Sequence, residues 1–290
     1  MQRQKRVLAI HDISCFGRCS LTVALPIISA AGIETTVLPT AVLSTHTGGF
    51  TGFTYRDLTQ DILPVVNHWH DLGLEFDAVY TGFLGSFEQV DIVSSIFDML
   101  KKEGVLIVVD PVMADYGKLY SLFPPNFPDG MRKLCRKADV IVPNLTEAAF
   151  LLNEPYHDGP HTSEEIEHIL CSLSSLGPKY VVVTGVSYDG IQLGSASYDA
   201  NTCEFSYTCE TRIDPMYHGT GDVFASALVA ALLGGRTLAE ANTIAVRFTV
   251  ASIARTKEAA TDNRFGVNFE AGLASLNSLI AGCHEYDKKI

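Results

Sequence analysis

Residues 217–233, Y-H-G-T-G-D-V-F-A-S-A-L-V-A-A-L-L, decide how the rest of the chain is understood. From Val223 onward the stretch is small and apolar with a single serine and no charge, the composition of a helix buried on every side. Its entrance is polar: His218, Gly219, Thr220, Gly221 and Asp222. Two glycines let a ligand come close to the backbone. First-turn N–H groups have no partners inside a helix, and with the positive end of its dipole they make an anion site. Asp222 would repel an anion unless it had a task. It suits either a helix cap or a base that takes a proton from an alcohol attacking phosphorus, and the spacing alone allows both.

Three other polar positions follow apolar runs. Residues 105–109, V-L-I-V-V, form the kind of run buried on both faces of a parallel sheet, and they end in Asp110. Residues 140–142 lead into Pro143, Asn144 and a helix start at Thr146 and Glu147, and residues 180–183 end in Thr184. In a parallel sheet all three sites project to one edge, where open α/β folds hold ligands, and the Gly219 helix start can face them. Oxygen ligands around an anion hole point to magnesium on a nucleotide phosphate. Each also has a plain structural role: a turn former, a first-turn charge, a strand-end hydroxyl.

The remaining segments fit an α/β chain. Residues 7–10 are a strand ending at His11 and Asp12; a loop with Gly17 precedes a helical pattern over 20–31, and 35–38 is a second strand. Residues 44–52 are too rich in Gly and Thr for a core and suit a polar ligand. The pattern predicts a helix over 55–72 interrupted at Pro64, a strand over 78–81, a helix over 88–102 and a long loop over 113–128. Thr162 with Glu165 and Thr237 with Glu240 are capping boxes for helices running to about 175 and 255. Residues 190–194 and 203–211 read as an antiparallel hairpin at a sheet edge, and a last helix covers 270–281. Without repeats or linkers, residues 1–290 are expected to form one α/β domain.

Composition excludes several classes. A net charge of -12 with pI near 5.1 opposes binding to nucleic acid or an anionic membrane. The basic residues 3–6 precede an apolar run too short for a signal peptide or a span, so a cytoplasmic location is expected. Seven cysteines without regular spacing are not a disulfide framework, and Cys15 with Cys19 lack partners for a metal site.

G-T-G-D at 219–222, D-P-V-M at 110–113 and P-N-L-T-E at 143–147 resemble the ribokinase superfamily, specifically its vitamin B6 kinases. The start at 7–17, H-T-G-G-F at 46–50 and T-G-F-L-G-S at 81–86 are similar to pyridoxal kinase segments, so the match runs in order over nearly the whole chain. The resemblance implies a ribokinase-like fold, with a mainly parallel central sheet flanked by helices on both faces and a small antiparallel edge region. It implies transfer of the ATP γ-phosphate to the 5′-hydroxymethyl of pyridoxal, pyridoxine or pyridoxamine by a homodimer. Asp222 would be the base, and the amides of Gly219, Thr220 and Gly221 would hold transition-state charge. Asp110 and Glu147 would organise Mg2+; Asn144 and Thr184 would serve ATP; Thr47 and Gly48 would meet the B6 ring. A monovalent cation such as K+ is a further expected cofactor. With no Lys or Arg in the organising stretch, Lys118 in the long loop is the candidate to close over the phosphates.

The chain departs from the family at two positions. Asp12 stands where pyridoxal kinases usually place a serine against the ring, and Phe83 replaces their tyrosine after T-G. Asp12 can pair with a cationic ring nitrogen or an ammonium, which would favour the amine vitamer. The same changes suit the hydroxymethylpyrimidine kinases, the alternative activity. A binder that kept the fold is the alternative of another class, but it would gain nothing from Asp222 at a phosphate site. By position alone, residues 257–269 are a candidate for adenine recognition.

Overall fold

A computed structural model describes residues 3–282. In chain order the elements are β1 (Arg6–Ser14), α1 (Leu21–Ala30), β2 (Glu34–Leu43), β3 (Tyr55–Asp57), α2 (Thr59–Asp71), β4 (Ala78–Thr81) and α3 (Phe87–Leu100). They continue with β5 (Leu106–Val109), β6 (Ala114–Asp115), β7 (Lys118–Leu119), α4 (Phe127–Cys135), β8 (Val140–Ile141), α5 (Leu145–Leu152) and α6 (Ser163–Ser174). The last are β9 (Tyr180–Val186), β10 (Gln192–Asp199), β11 (Glu204–Thr211), α7 (Thr220–Leu233), α8 (Leu238–Glu258) and α9 (Leu273–Ala281).

Nine strands form one sheet in the order β11-β10-β9-β8-β5-β4-β1-β2-β3. The six from β9 to β2 are parallel, and the antiparallel pairs lie at the two edges. Side chains alternate across the central strands: Val7, Tyr80 and Val108 enter the core under α1, α7, α8 and α9, whereas Leu8, Val79 and Val109 enter the core under α2 to α6. Burial on both faces explains why these strands are continuous apolar runs. In α7, ten of fourteen residues are buried, so its Ala and Ser positions let α1 and α8 approach closely. Asn144, Thr162 and Thr237 open α5, α6 and α8 with reciprocal capping boxes, each worth about 1 kcal/mol.

Several expectations are corrected. Residues 55–57 are an edge strand beside β2, not the first turn of the following helix; Asp57 then accepts the Thr59 N–H at 2.7 Å and starts α2. Pro64 lies inside α2 without ending it. The loop over 113–128 carries the β6–β7 hairpin and the start of α4, a helix that sequence patterning missed although Phe127, Met131, Leu134 and Cys135 are all buried. Finally, β1 continues to Ser14, which places His11 and Asp12 within the strand.

Candidate active site

The parallel order brings the carboxyl ends of β1, β4, β5, β8 and β9 to one edge. Asp110 follows β5 and donates its N–H to the Thr81 carbonyl at 3.0 Å. Asn144 follows β8 and bridges to Thr184 on the neighbouring strand. The edge expected from the apolar runs is therefore assembled, with α7 entering from the other side.

Glu147 is fixed from two directions. Its carboxylate accepts the Asn144 N–H at 2.9 Å and the Met113 N–H at 3.0 Å. Asn144 in turn accepts the Glu147 N–H at 2.8 Å and donates to the Ala114 carbonyl at 2.9 Å, so its amide acts first as the frame for Glu147. Burial raises the Glu147 pKa to about 8, against the pull of these backbone donors. Asp110 is raised as well, by burial, then by repulsion from Glu147 and Asp222. Two buried carboxylates that repel each other fit a hard cation bound through oxygen. Among the described residues no three His, Cys, Asp or Glu side chains are arranged to hold an ion by themselves.

Asp222 lies in the first turn of α7 and is partly buried. Burial raises its pKa to about 7, the Ser20 N–H pulls it down, and Asp12 pushes it up. Gly219 adopts φ 74°, and a Cβ there would overlap the Arg18 carbonyl oxygen. A Cβ on Gly221 would meet nothing within 4 Å, so open space lies where its side chain would stand. Asp12, 4% exposed, accepts the Ser14 hydroxyl at 3.0 Å; burial raises its pKa too.

The acceptor side is made of loops. His46 Nδ1 accepts the Gly48 N–H at 3.1 Å. The His218 ring lies where a Gly48 side chain would stand, 2.6 Å from such a Cβ. Thr47 is exposed beside them. Phe83 packs on Phe123 with centroids 5.6 Å apart, and its loop is held by Gln89, which accepts the Gly85 N–H at 2.7 Å and donates to Thr40 and Thr59. Lys118 is exposed on β7 opposite Asp115.

Residues 262–266 lie within the segment offered for adenine recognition. They strap the acceptor loops together: Arg264 O lies 2.6 Å from His46 Nε2, Phe265 O accepts the Arg18 N–H at 3.1 Å, and Asn263 O accepts the His218 N–H at 3.3 Å. Phe265 stacks on Phe50 and Phe16 meets it edge-on.

Four further residues had gone unassigned. Ser20 lies close enough to Asp222 and Asp12 to pull down the pKa of each. Asp115, on β6, lies close enough for its charge to raise the His218 pKa against the larger, lowering effect of burial. The Tyr120 phenol, raised first by burial, sits within the field of Glu147, Asp115, Asp110 and Asp222. Tyr55 on β3, raised to about 12 by burial, Asp57 and Asp12, stands near Gly85 and Phe83. Of these only Asp115, five residues after Asp110, left a trace in the sequence.

A carboxylate at the mouth of a buried glycine-led helix, facing an acidic pair at the carboxyl edge of a parallel sheet, defines a phosphotransferase fold of the ribokinase superfamily. Residues 25–266 match the family model described as phosphomethylpyrimidine kinase, and the chain belongs to that family. A candidate phosphomethylpyrimidine kinase from Bacteroides thetaiotaomicron, in a crystal form with pyridoxal, is 39% identical with a TM-score of 0.90 over 95% of this chain and 96% of that one. The pyridoxal kinase of Lactobacillus plantarum is 32% identical with a TM-score of 0.87, covering 98% of this chain and all of that one. Pyridoxal kinase PdxY of Pasteurella multocida is 28% identical over 82% of this chain and 84% of its own length. Among the described residues no helix is long and apolar enough to cross a membrane.

Proposed function

We propose that the protein is a pyridoxal kinase-type phosphotransferase that moves the γ-phosphoryl of ATP to the 5′-hydroxymethyl of a vitamin B6 vitamer. The observation that carries this is Asp222: a carboxylate with a pKa near 7, in the first turn of α7, beside the open space over Gly221. Such a group is deprotonated often enough at neutral pH to accept the alcohol proton, and still basic enough to take it. The first-turn amides of α7 face the phosphoryl oxygens as charge spreads over them. In a loose transition state this electrostatic support outweighs the base.

Asp110 and Glu147 are the residues that would hold Mg2+, the other ligands coming from phosphate and water. When bound, the ion neutralises charge on the nucleotide phosphates. Asn144 frames Glu147, Thr184 stands beside it on the nucleotide side, and Lys118 and a monovalent ion such as K+ belong to the same proposal. On the acceptor side Asp12 would meet the ring nitrogen or an amine, with Thr47, Gly48 and Phe83 around the ring. A cytoplasmic homodimer completes the proposal, and light scattering reads the dimer.

The family match over residues 25–266 favours a second activity, hydroxymethylpyrimidine phosphorylation. ATP consumption with Mg2+ and pyridoxal, pyridoxine, pyridoxamine or aminomethyl-hydroxymethylpyrimidine separates the two. Turnover of a B6 vitamer is expected; turnover of the pyrimidine alone would replace the first reading with the second.

A further inference from the structure

The backbone of His218 is held on both sides. Tyr217, 8% exposed, lies in the core with α7, and Gly219 turns at φ 74° where a side chain would run into the Arg18 carbonyl. His218 itself donates its N–H to the Asn263 carbonyl at 3.3 Å. Its half-buried imidazole is therefore a fixed peg four residues before Asp222.

The loop over 44–54 closes on that peg. Its two ends are tied together: Ser44 donates its N–H to the Thr54 carbonyl at 3.2 Å, and Ser44 Oγ accepts the Thr54 N–H at 2.9 Å. Between them residues 47, 49, 51 and 52 are exposed, so contacts with other segments must set where the loop lies. The His218 ring supplies one such contact. Its Nδ1 would stand 2.6 Å, and its Cε1 2.8 Å, from a Cβ on Gly48, and its Nε2 would stand 3.5 Å from one on Gly49. The His46 ring, from the same loop, lies with its centroid 5.3 Å from that of His218. Gly49, at φ 76°, is required by its backbone as well. Gly48 is not, because its φ lies outside the left-handed region; the imidazole is what excludes a side chain there.

We infer that His218 is a positioning residue: its imidazole, seated against Gly48 and Gly49, fixes the acceptor loop to the start of α7 and so sets where the alcohol lies relative to Asp222. The inference rests on the reading of Thr47 and Gly48 as acceptor contacts and of Asp222 as the base. The loop carries the first two and α7 carries the third, and the ring fills the space where these two elements meet. A void in its place lets the alcohol drift from the base, which costs acceptor binding and alignment and leaves nucleotide binding alone.

A double-mutant cycle in the full chain tests this, with His218→Ala, Gly48→Ala and the two combined. Each single variant should raise the acceptor KM about 10-fold, the first by leaving a void and the second by pushing the loop off the ring, while the ATP KM stays within about 2-fold. In the combined variant the new methyl enters the space the imidazole has left. Its acceptor KM should match that of His218→Ala within about 3-fold, far from the roughly 100-fold product of two independent losses. Independent losses, or an unchanged acceptor KM in His218→Ala, would overturn the inference. So would equal rises of both KM values that follow a lowered melting temperature, the mark of a general structural role. If only the pyrimidine is turned over, the same cycle is read with its KM. If no acceptor is turned over, the functional reading has failed, and amide exchange at Gly48 tests the docking separately. Faster exchange in His218→Ala keeps the ring as the seat of the loop, and unchanged exchange removes it.

Discussion

His46 donates from Nε2 to the carbonyl of Arg264 at 2.6 Å, and that bond fixes its tautomer because Nδ1 already accepts the Gly48 N–H. A second proton at Nδ1 would face the Gly48 donor and open the loop. Burial holds the His46 pKa below the free imidazole value of 6.5; the Arg264 bond partly offsets this, and His218 adds to it. For a depressed imidazole, the stability gained from the neutral form is complete above pH 6.5 and is lost as pH falls toward the folded value. Acceptor KM should therefore climb as pH falls below 6.5 toward the depressed folded value. His46→Gln, which does not titrate, should show a flatter climb in parallel assays; identical profiles would remove His46 as the cause.

Replacing Asp222 by Asn should lower kcat by ~10²–10⁴-fold while acceptor and ATP KM change little. The parent kcat should fall below the pKa near 7. Full turnover by the variant would take the base role from Asp222.

Asp12 raises the Asp222 pKa by repulsion. In Asp12→Asn that push is gone, although burial remains, so the acid limb of kcat should shift to lower pH. Any advantage of the amine vitamer over pyridoxal should shrink at the same time. An unchanged limb in a pH-rate series would show that the two carboxylates act independently.

Gly219 and Gly221 separate fold from chemistry. Gly219→Ala puts a Cβ into the Arg18 carbonyl at φ 74° and should lower the melting temperature markedly, by the equivalent of about 2 kcal/mol or more. Gly221→Ala points into open space and should melt like the parent, yet lose most of its kcat where the phosphoryl group passes. Calorimetry and initial rates on both variants check this, and the expectation fails if Gly221→Ala keeps its rate.

Glu147 links magnesium to pH. Its folded pKa of about 8 lies above the ordinary glutamate value of 4.5, so its stabilising contribution is full below pH 4.5 and is lost as pH rises through 8. Metal-free protein should melt lower at pH 8 than at pH 6, and Mg2+ should raise the melting temperature more at pH 8. Glu147→Gln should flatten both responses; a Mg2+ effect that ignores pH would detach the ion from Glu147.

The sheet edge was legible because Asp110, Asn144 and Thr184 each follow an apolar run, and runs buried on both faces can only be parallel neighbours. The start of α7 was legible for a similar reason, since glycines beside a charge at the mouth of a chargeless helix have few structural uses. Ser20 was not, because nothing in S-L-T-V distinguishes a strained N-cap from the first residue of a helix. Tyr55 was misassigned since residues 55–57 adjoin a helical pattern and β3 exists only through its pairing with β2. Pro128 and Gly130 hid α4: one sits in its first turn, and the other makes room for the Phe87 ring. The role of residues 262–266 was hidden entirely, being defined by carbonyls that any side chains could carry.

That strap has a consequence for how the enzyme is made. The loops it ties, at residues 18, 46 and 218, leave the ribosome before it does, and the sheet strands precede it as well. During synthesis the nucleotide edge can take shape while the acceptor loops are still untied. Competence to hold the alcohol thus arrives after the sheet, once Phe265 has emerged to close on Arg18.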